Sequence, residues 1–336
     1  MRDYALLAAG RAAGRAATIA GLTTAVVVLM AGFALVGVGV AGAGGAVAGI
    51  AVAVSLTVAG YACGDRLALS AMAARPVSEV EQPELYRLVW ELAKAGRLPV
   101  PRLYVSPAEQ PNSFTVGRGP RTAAVCCTEG LLRLLDEAEL RGVLGHELGH
   151  VSGYDILAAS MSAGLAAVVT FPATLARFMR PNSRRPIGVP SAAGVPSAAG
   201  VPSAAGVPSA TGVASAARAG DGSGPGLGQL EALLMLLFGP IAAVLVRLAV
   251  SQEREYRADA TAAQLTGDPV ALASALRKTD AGAARLPVAP DGRRIPVGHL
   301  MIVSAFRPEG VARLFLTHPP ADERIRRLEA LAGYRR

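Results

Sequence analysis

No charged residue occurs between Arg15 and Asp65. An uncharged run over 16–64 is too long for one membrane-crossing helix and suits two, since each needs about 20 apolar residues. AGAGG at 41–45 is the natural place for the chain to reverse, so spans are expected near 18–40 and 46–63. A cleavable signal peptide is the rival reading, and the second run that follows at once argues against it. Residues 156–176, between Asp155 and Arg177, are again uncharged and predict a third span over 155–178. A fourth is expected at 229–250, where Glu231, Arg247 and Pro240 interrupt the apolar pattern. Proline is tolerated in membrane helices whose neighbours satisfy the freed carbonyl.

Polar patterns fill the intervals. Ser78 and Glu81 make a capping-box pair, Pro83 follows, and ELYRLVWELAKA at 84–95 has helical spacing that stops at Gly96. RLYVS at 102–106 reads as a strand, and SFTVGRGPRTAAVCC at 113–127 as a β-hairpin turning at RGPR. Thr128 can cap EGLLRLL, and Asp136 with Glu139 opens a helix that contains VLGHELGHVSGYD. Further helices are expected in SQEREYRADATAAQL, in DPVALASALRKTDAGA and after the double proline of THPPADERIRRLEALAGYRR. The pattern predicts a mainly α protein with a small β-sheet and four transmembrane helices. A polar N-terminus, 1–17, precedes two spans within 18–64. The first part of a polar domain covers 65–154, the third span 155–178, the fourth span 229–250 and the second part of the domain 251–336. GVPSAA recurs at 188–193, 194–199 and 200–205 and then decays, so 179–228 is expected to be a disordered low-complexity insert.

Composition sharpens this picture. Hydrophobic residues reach 52% but aromatics only 4%, and the mean hydropathy is +0.40. Ala, Gly and Val at this density suit helices packed closely in lipid. The net charge is +8, yet no nucleic-acid motif accompanies it. Arg2, Arg11 and Arg15 precede the first span and Arg66 and Arg75 follow the second, which places both ends on the cytoplasmic side. Arg177, Arg180, Arg184 and Arg185 sit badly with that rule if spans three and four form a hairpin. Cys63, Cys126 and Cys127 make neither a disulfide framework nor a C-x-x-C zinc clasp.

The candidate chemistry is H-E-x-x-H at His146, Glu147 and His150. Residues four apart share a helix face, where two imidazoles reach one metal ion. Glu147 is the next residue round, beside the metal, where a carboxylate can act as general base. A catalytic zinc takes three protein ligands. The metzincin extension fails because Ile156 stands where its third histidine belongs. A glutamate is the alternative. Glu255 has Asp259 four residues on, placed to accept a hydrogen bond from a ligand imidazole. Glu253 is the neighbouring candidate without such a partner, and a solvated helix laced with ion pairs such as Glu253–Arg257 is the competing reading. A hairpin of spans three and four would deliver Glu255 to the histidines' side of the membrane.

PNSFTVG, TEGLLRLLDEAELRGVLGHELGHV, SQEREYRADATAA and FLTHPPADERIRRLEAL resemble the HtpX-type membrane zinc metalloproteases, relatives of the CAAX prenyl protease. The likeness runs from about residue 99 to 332, apart from the repeat insert. It implies a cytoplasmic gluzincin-like domain with one Zn2+ per chain on His146, His150 and Glu255, and Glu147 as base. It implies an active site at the cytoplasmic face of a bacterial inner membrane, and polypeptide substrates drawn from misfolded or damaged membrane proteins. Asn112 and Ser113 match the family's edge-strand motif, where an extended substrate could pair. His318 matches a histidine that approaches the substrate and could steady the oxyanion. Cys126–Cys127 and the insert depart from the family pattern. A non-catalytic zinc-binding membrane scaffold is the alternative function. A site-2 type intramembrane protease is excluded, because Asp136, Glu137, Glu139 and Arg141 lead into the motif and charges at that depth are costly. Arg324 is expected to make a structural ion pair, Tyr154, Tyr256 and the cysteines to pack, and His299 has no assigned role.

Overall fold

The computed structural model describes residues 2–153, 155–178, 252–287, 294–305 and 318–333. The predicted insert, the fourth span and Tyr154 lie outside them. Helix α1 (Arg2–Ala71) is broken at Ala41 (φ −145°, ψ 28°) and Gly42 (φ 60°, ψ −143°). Gly42 takes a positive φ that a side chain would strain. The chain folds back there, and the two arms meet at backbone contact. A Cβ on Gly37 would lie 2.0 Å from the Gly45 carbonyl oxygen, and one on Gly49 2.2 Å from that of Phe33.

Two stretches, Ile19–Gly39 and Ala41–Ala71, are long and apolar enough to cross a membrane, with mean hydropathies of 2.4 and 1.9. They expose Ile19, Leu35, Val36 and Val47. Such a surface is ordinary against lipid and a liability in water. Four spans were expected; two are found among the described residues. Helix α5 (Asp155–Phe178) occupies the third predicted span, and Asp155–Ala167 is its described apolar stretch. Its small residues pack on α1. A Cβ on Gly64 would sit 2.2 Å from the Ser160 carbonyl oxygen, and Gly60 faces Leu165.

The sheet has the order β1-β2-β4-β3, made of β1 (Arg75–Pro76), β2 (Arg102–Ser106), β3 (Ser113–Val116) and β4 (Ala124–Thr128). β2 and β4 run parallel, with Leu103 opposite Val125. β3 pairs antiparallel with β4, with Phe114 opposite Cys126, and Pro120–Thr122 turns between them. Because side chains alternate along a strand, β4 serves two cores. Val125 and Cys127 join Leu88, Leu92, Leu144 and Leu148, whereas Ala124 and Cys126 join Phe114, Val116 and Ala68. Burial, reinforced by the Glu147 charge, pushes both thiols well up from their ordinary range.

Helix α2 (Pro83–Gly96) buries Leu85, Leu88, Val89 and Leu92. Its N-cap is Gln82, so the Ser78–Glu81 pair closes a turn ahead of the helix, with Ser78 N donating to Glu81 Oε2 at 2.8 Å. Thr128 does cap α3 (Glu129–Leu134) by accepting from Leu131 N. Asp136 and Glu139 exchange bonds of 3.1 and 3.0 Å at the start of α4 (Glu137–Gly153). Then come α6 (Gln252–Thr266), α7 (Pro269–Arg285), capped by Asp268, and α8 (Ala321–Leu331).

The seam between α4 and α6 positions the candidate site. Gly142, Gly145 and Gly149 share a face of α4. A Cβ on Gly149 would lie 2.9 Å from Ala258 Cα, and one on Gly145 3.3 Å from Ala262 Cα. Gly142 meets Leu272 of α7 in the same way, at 3.0 Å. Helix α6 therefore seats on α4 backbone to backbone. Around this seam Leu144, Leu148 and Leu272 are fully buried, and truncating such a leucine to alanine costs about 2–5 kcal/mol. Gly149→Val is expected to lower stability by about 1–3 kcal/mol through overpacking. A melting temperature equal to the parent's in detergent would show that the seam has slack.

Candidate metal centre

His146 and His150 lie one turn apart on α4, and their Nε2 atoms approach to 3.1 Å with the rings at 89°. Glu255 comes in on α6. Its Oε2 is 3.7 Å from His146 Nε2, and its Oε1 is 3.5 Å from His150 Nε2. One ligand atom from each residue can be chosen so that all lie within 4.8 Å of one another. Tetrahedral zinc, with bonds to nitrogen of about 2.0–2.1 Å, sets its ligand atoms about 3.3 Å apart. The observed separations bracket that value.

The donor set fits a divalent cation chemically as well. Glu255 is buried, and its Oε2 has no hydrogen-bond partner among the described residues. Burial would raise its pKa, but the charges of His318, His150 and Arg324 overcome this and hold it well below the ordinary carboxylate range. Arg324 Nη1 stands 3.4 Å and His318 Nδ1 3.3 Å from that oxygen, which keeps it charged in the interior and able to take a divalent cation. The solvated-helix reading of this segment therefore fails for Glu255, while Glu253 does face solvent.

A carboxylate and an arginine stand behind each imidazole. His146 Nδ1 is 2.9 Å from Asp259 Oδ1. Arg324 donates to both Asp259 oxygens, at 2.8 and 2.7 Å, and to the Ile302 carbonyl at 2.7 Å. Asp259 is placed to accept from His146 Nδ1, an arrangement that would turn the Nε2 lone pair toward the ligand set. Burial opposes ionisation of Asp259, but Arg324 and His146 outweigh it and bring its pKa to about 2. On the other side, His150 Nδ1 is 3.7 Å from Asp155 Oδ2, and Asp155 Oδ1 is 3.5 Å from Arg254 Nε. The sequence shows Asp155 only as the edge of an apolar run; its place five residues after His150 was the available signal. Burial also opposes charge on His150, yet Asp155, Glu255 and Glu147 raise its pKa to about 9.

Glu147 is buried beside the imidazoles. Its Oε1 accepts from Ser113 Oγ at 2.5 Å and its Oε2 from Thr115 Oγ1 at 2.6 Å. Alternate residues of β3 thus grip both oxygens of one carboxylate. Thr115 escaped the sequence reading, although the period-two spacing from Ser113 marks it. Asn112, which belongs with Ser113 to the expected edge-strand motif, turns its own side chain inward. Its Nδ2 donates to the Val303 carbonyl at 3.2 Å, its Oδ1 accepts from Ser113 N at 3.2 Å, and it is buried. His318 Nδ1 lies 3.3 Å from Glu255 Oε2, and neither ring nitrogen has a hydrogen bond among the described residues. His299 Nε2, 2.8 Å from Ser162 Oγ, ties the turn Ile295–Leu300 to α5, and burial lowers its pKa to about 4. A cleft lined by Thr115, His150, Asp155, Arg254, Glu255 and His299 opens at the centre. Tyr256 packs under the Arg327 guanidinium at 3.7 Å.

Two outcomes follow from this geometry. Arg324→Leu leaves Asp259 and Glu255 buried without their cation, and is expected to lower stability by about 3–5 kcal/mol; a melt in detergent no lower than the parent's would refute the bracing role. Metal uptake must expel the proton that the metal-free site keeps on His150 below pH about 9. Apparent metal affinity should therefore rise up to about tenfold per pH unit across pH 6 to 8, measured by competition with a chelator of known proton dependence. A flat profile would contradict it.

Comparison with known proteins agrees with these features. The sequence profile of peptidase family M48 matches residues 79–332. The chain is 49% identical over 271 residues to a protein named protease HtpX homolog from Kineococcus radiotolerans, covering 80% of each chain. Proteins of the same name from Paenarthrobacter aurescens and Pseudarthrobacter chlorophenolicus are 42% identical over 280 residues, 83% of each chain, and 40% identical over 306 residues, 91% and 92% of the two chains. With a His-His-Glu cluster on helices tethered to two membrane-length arms, this chain belongs to peptidase family M48 and is a membrane metalloprotease of that family.

Proposed function

We propose that the protein is a zinc-dependent endopeptidase in which His146, His150 and Glu255 hold the metal and Glu147 is the general base. The observation that carries this reading is a buried Glu147, gripped at both oxygens, next to three convergent ligand atoms. When bound, zinc supplies Lewis-acid chemistry, polarising the scissile carbonyl and making water acidic enough to lose a proton near neutral pH. Glu147 takes that proton and delivers it to the leaving amine. Ser113 and Thr115 each give a hydrogen bond to the carboxylate, which fixes its orientation. Asp259 holds His146 in the ligating tautomer. His318, whose Nε2 has no hydrogen-bond partner among the described residues, is the candidate donor to the developing oxyanion. Pairing of an extended polypeptide with β3 would run through main-chain groups, since Val303 occupies the Asn112 amide.

The two arms of α1 anchor this centre in the bilayer, and the packing of α5 along the second arm supports carrying α5 on beside it. Arg2, Arg11 and Arg15 before the hairpin and Arg66 after it support a cytoplasmic centre in a bacterial inner membrane. A protease tethered this way is suited to misfolded or damaged polypeptides of the same membrane.

Glu147→Gln should retain one metal per chain while casein cleavage by the detergent-purified protein falls by about 10²–10⁴-fold. A chelator should abolish the parent's cleavage. Undiminished cleavage by the variant would remove Glu147 from the mechanism. A parent that binds metal but cuts nothing would favour a non-catalytic scaffold.

A further inference from the structure

We infer that Arg66, Arg118 and Arg121 form a collar at the foot of the α1 hairpin that binds the headgroups of anionic phospholipids. The inference rests on the membrane anchoring proposed above and not on the chemistry of the metal centre.

The level at which α1 leaves the hydrocarbon can be read along its second arm. Val54 and Val58 are exposed and apolar, Tyr61 is 47% exposed, and Asp65 and Arg66 bring the first charges. Tyrosine favours the boundary between lipid tails and headgroups. Two contacts bring the sheet to this level. The Arg118 guanidinium carbon lies 5.6 Å from the centre of the Tyr61 ring, and Arg102 reaches Asp65 at 4.0 Å. Tyr61 to Asp65 is one helical turn, about 6 Å of rise, comparable with one headgroup layer of about 5–7 Å. The tip of the β3–β4 hairpin thus stands at headgroup depth. Gly117 N donates to Ser160 Oγ at 2.9 Å and fastens the hairpin to α5 there.

The charge at this level is one-sided. Asp65 is buried and faces Arg102. Among the described residues no carboxylate pairs with Arg66, Arg118 or Arg121, and all three are exposed. The chain from 110 to 128 holds no acidic residue. Three solvated guanidiniums at the depth of the phosphates fit a row of anionic headgroups, and arginine suits phosphate by its forked donors. A basic residue close to an anionic surface contributes about fivefold in affinity. The collar also touches the reaction centre, because β3 runs from the hairpin tip to Thr115 and Ser113. Lipid held at the tip fixes the height of the Glu147 carboxylate above the bilayer.

The test is native mass spectrometry of the full-length protein in detergent, titrated with phosphatidylglycerol and with phosphatidylcholine of the same chains. The parent should retain the anionic lipid with at least about tenfold preference, and the preference should shrink as ammonium acetate is raised. The Arg66→Gln/Arg118→Gln/Arg121→Gln variant should lose that preference while keeping the parent's melting temperature and chelator-sensitive casein cleavage. Equal retention of the two lipids by the parent, or an unchanged preference in the folded variant, would overturn the collar. Competition by glycerol phosphate at the lipid's own concentration would overturn it too, marking a phosphate site unrelated to the bilayer. Loss of lipid preference in a protein that never cleaves casein would sink the protease reading and leave the collar standing.

Discussion

Backbone contact between α4 and α6 is the constraint on which the rest depends. Gly149 lies within the H-E-x-x-H segment and Gly145 just before it, on the face turned to Ala258 and Ala262. Where side chains separate two helices, their axes stand 8–10 Å apart. Here the missing Cβ atoms let α6 settle closer, and a carboxylate more than a hundred residues away in sequence reaches the two imidazoles. Metal geometry is thus written partly in residues that carry no side chain.

Around that seam the protein surrounds one small volume with ionised groups and balances them in pairs. Asp259 answers Arg324, and Asp155 faces Arg254. Each pair backs one histidine. Buried charges are tolerated when matched and hydrogen-bonded, and matching of this kind leaves the imidazoles little freedom to turn. The same economy of motion governs Glu147, whose two oxygens are claimed by alternate residues of one strand. β3 is held in turn by β4 and by the Val303 contact with Asn112. Rigidity at the centre therefore comes from the sheet on one side and the helical seam on the other.

Much of this was legible in the chain. The spacing of His146 and His150 and of Glu255 and Asp259 states local helical geometry, which sequence expresses directly. Capping at Thr128, Asp136 and Asp268 was legible for the same reason. What escaped depends on who faces whom. Thr115 and Asp155 look ordinary until the sheet and α5 are folded against α4. Asn112 is another such case, since its side-chain amide is spent on Val303 of a distant segment. The run 155–178 forms the helix that its apolar composition predicts, and its small residues seat it on α1.

The two thiols of β4 carry a consequence for a protein of this kind. Cys126 and Cys127 point to opposite cores, both free and both buried. Peroxides attack the thiolate, and a sulfur kept protonated in an apolar interior is a poor target. The strand that braces β3 should therefore pass through an oxidative burst unmarked, with no sulfenic acid to prise the sheet from the helices. A membrane damaged by oxidants would still find the Glu147 grip intact.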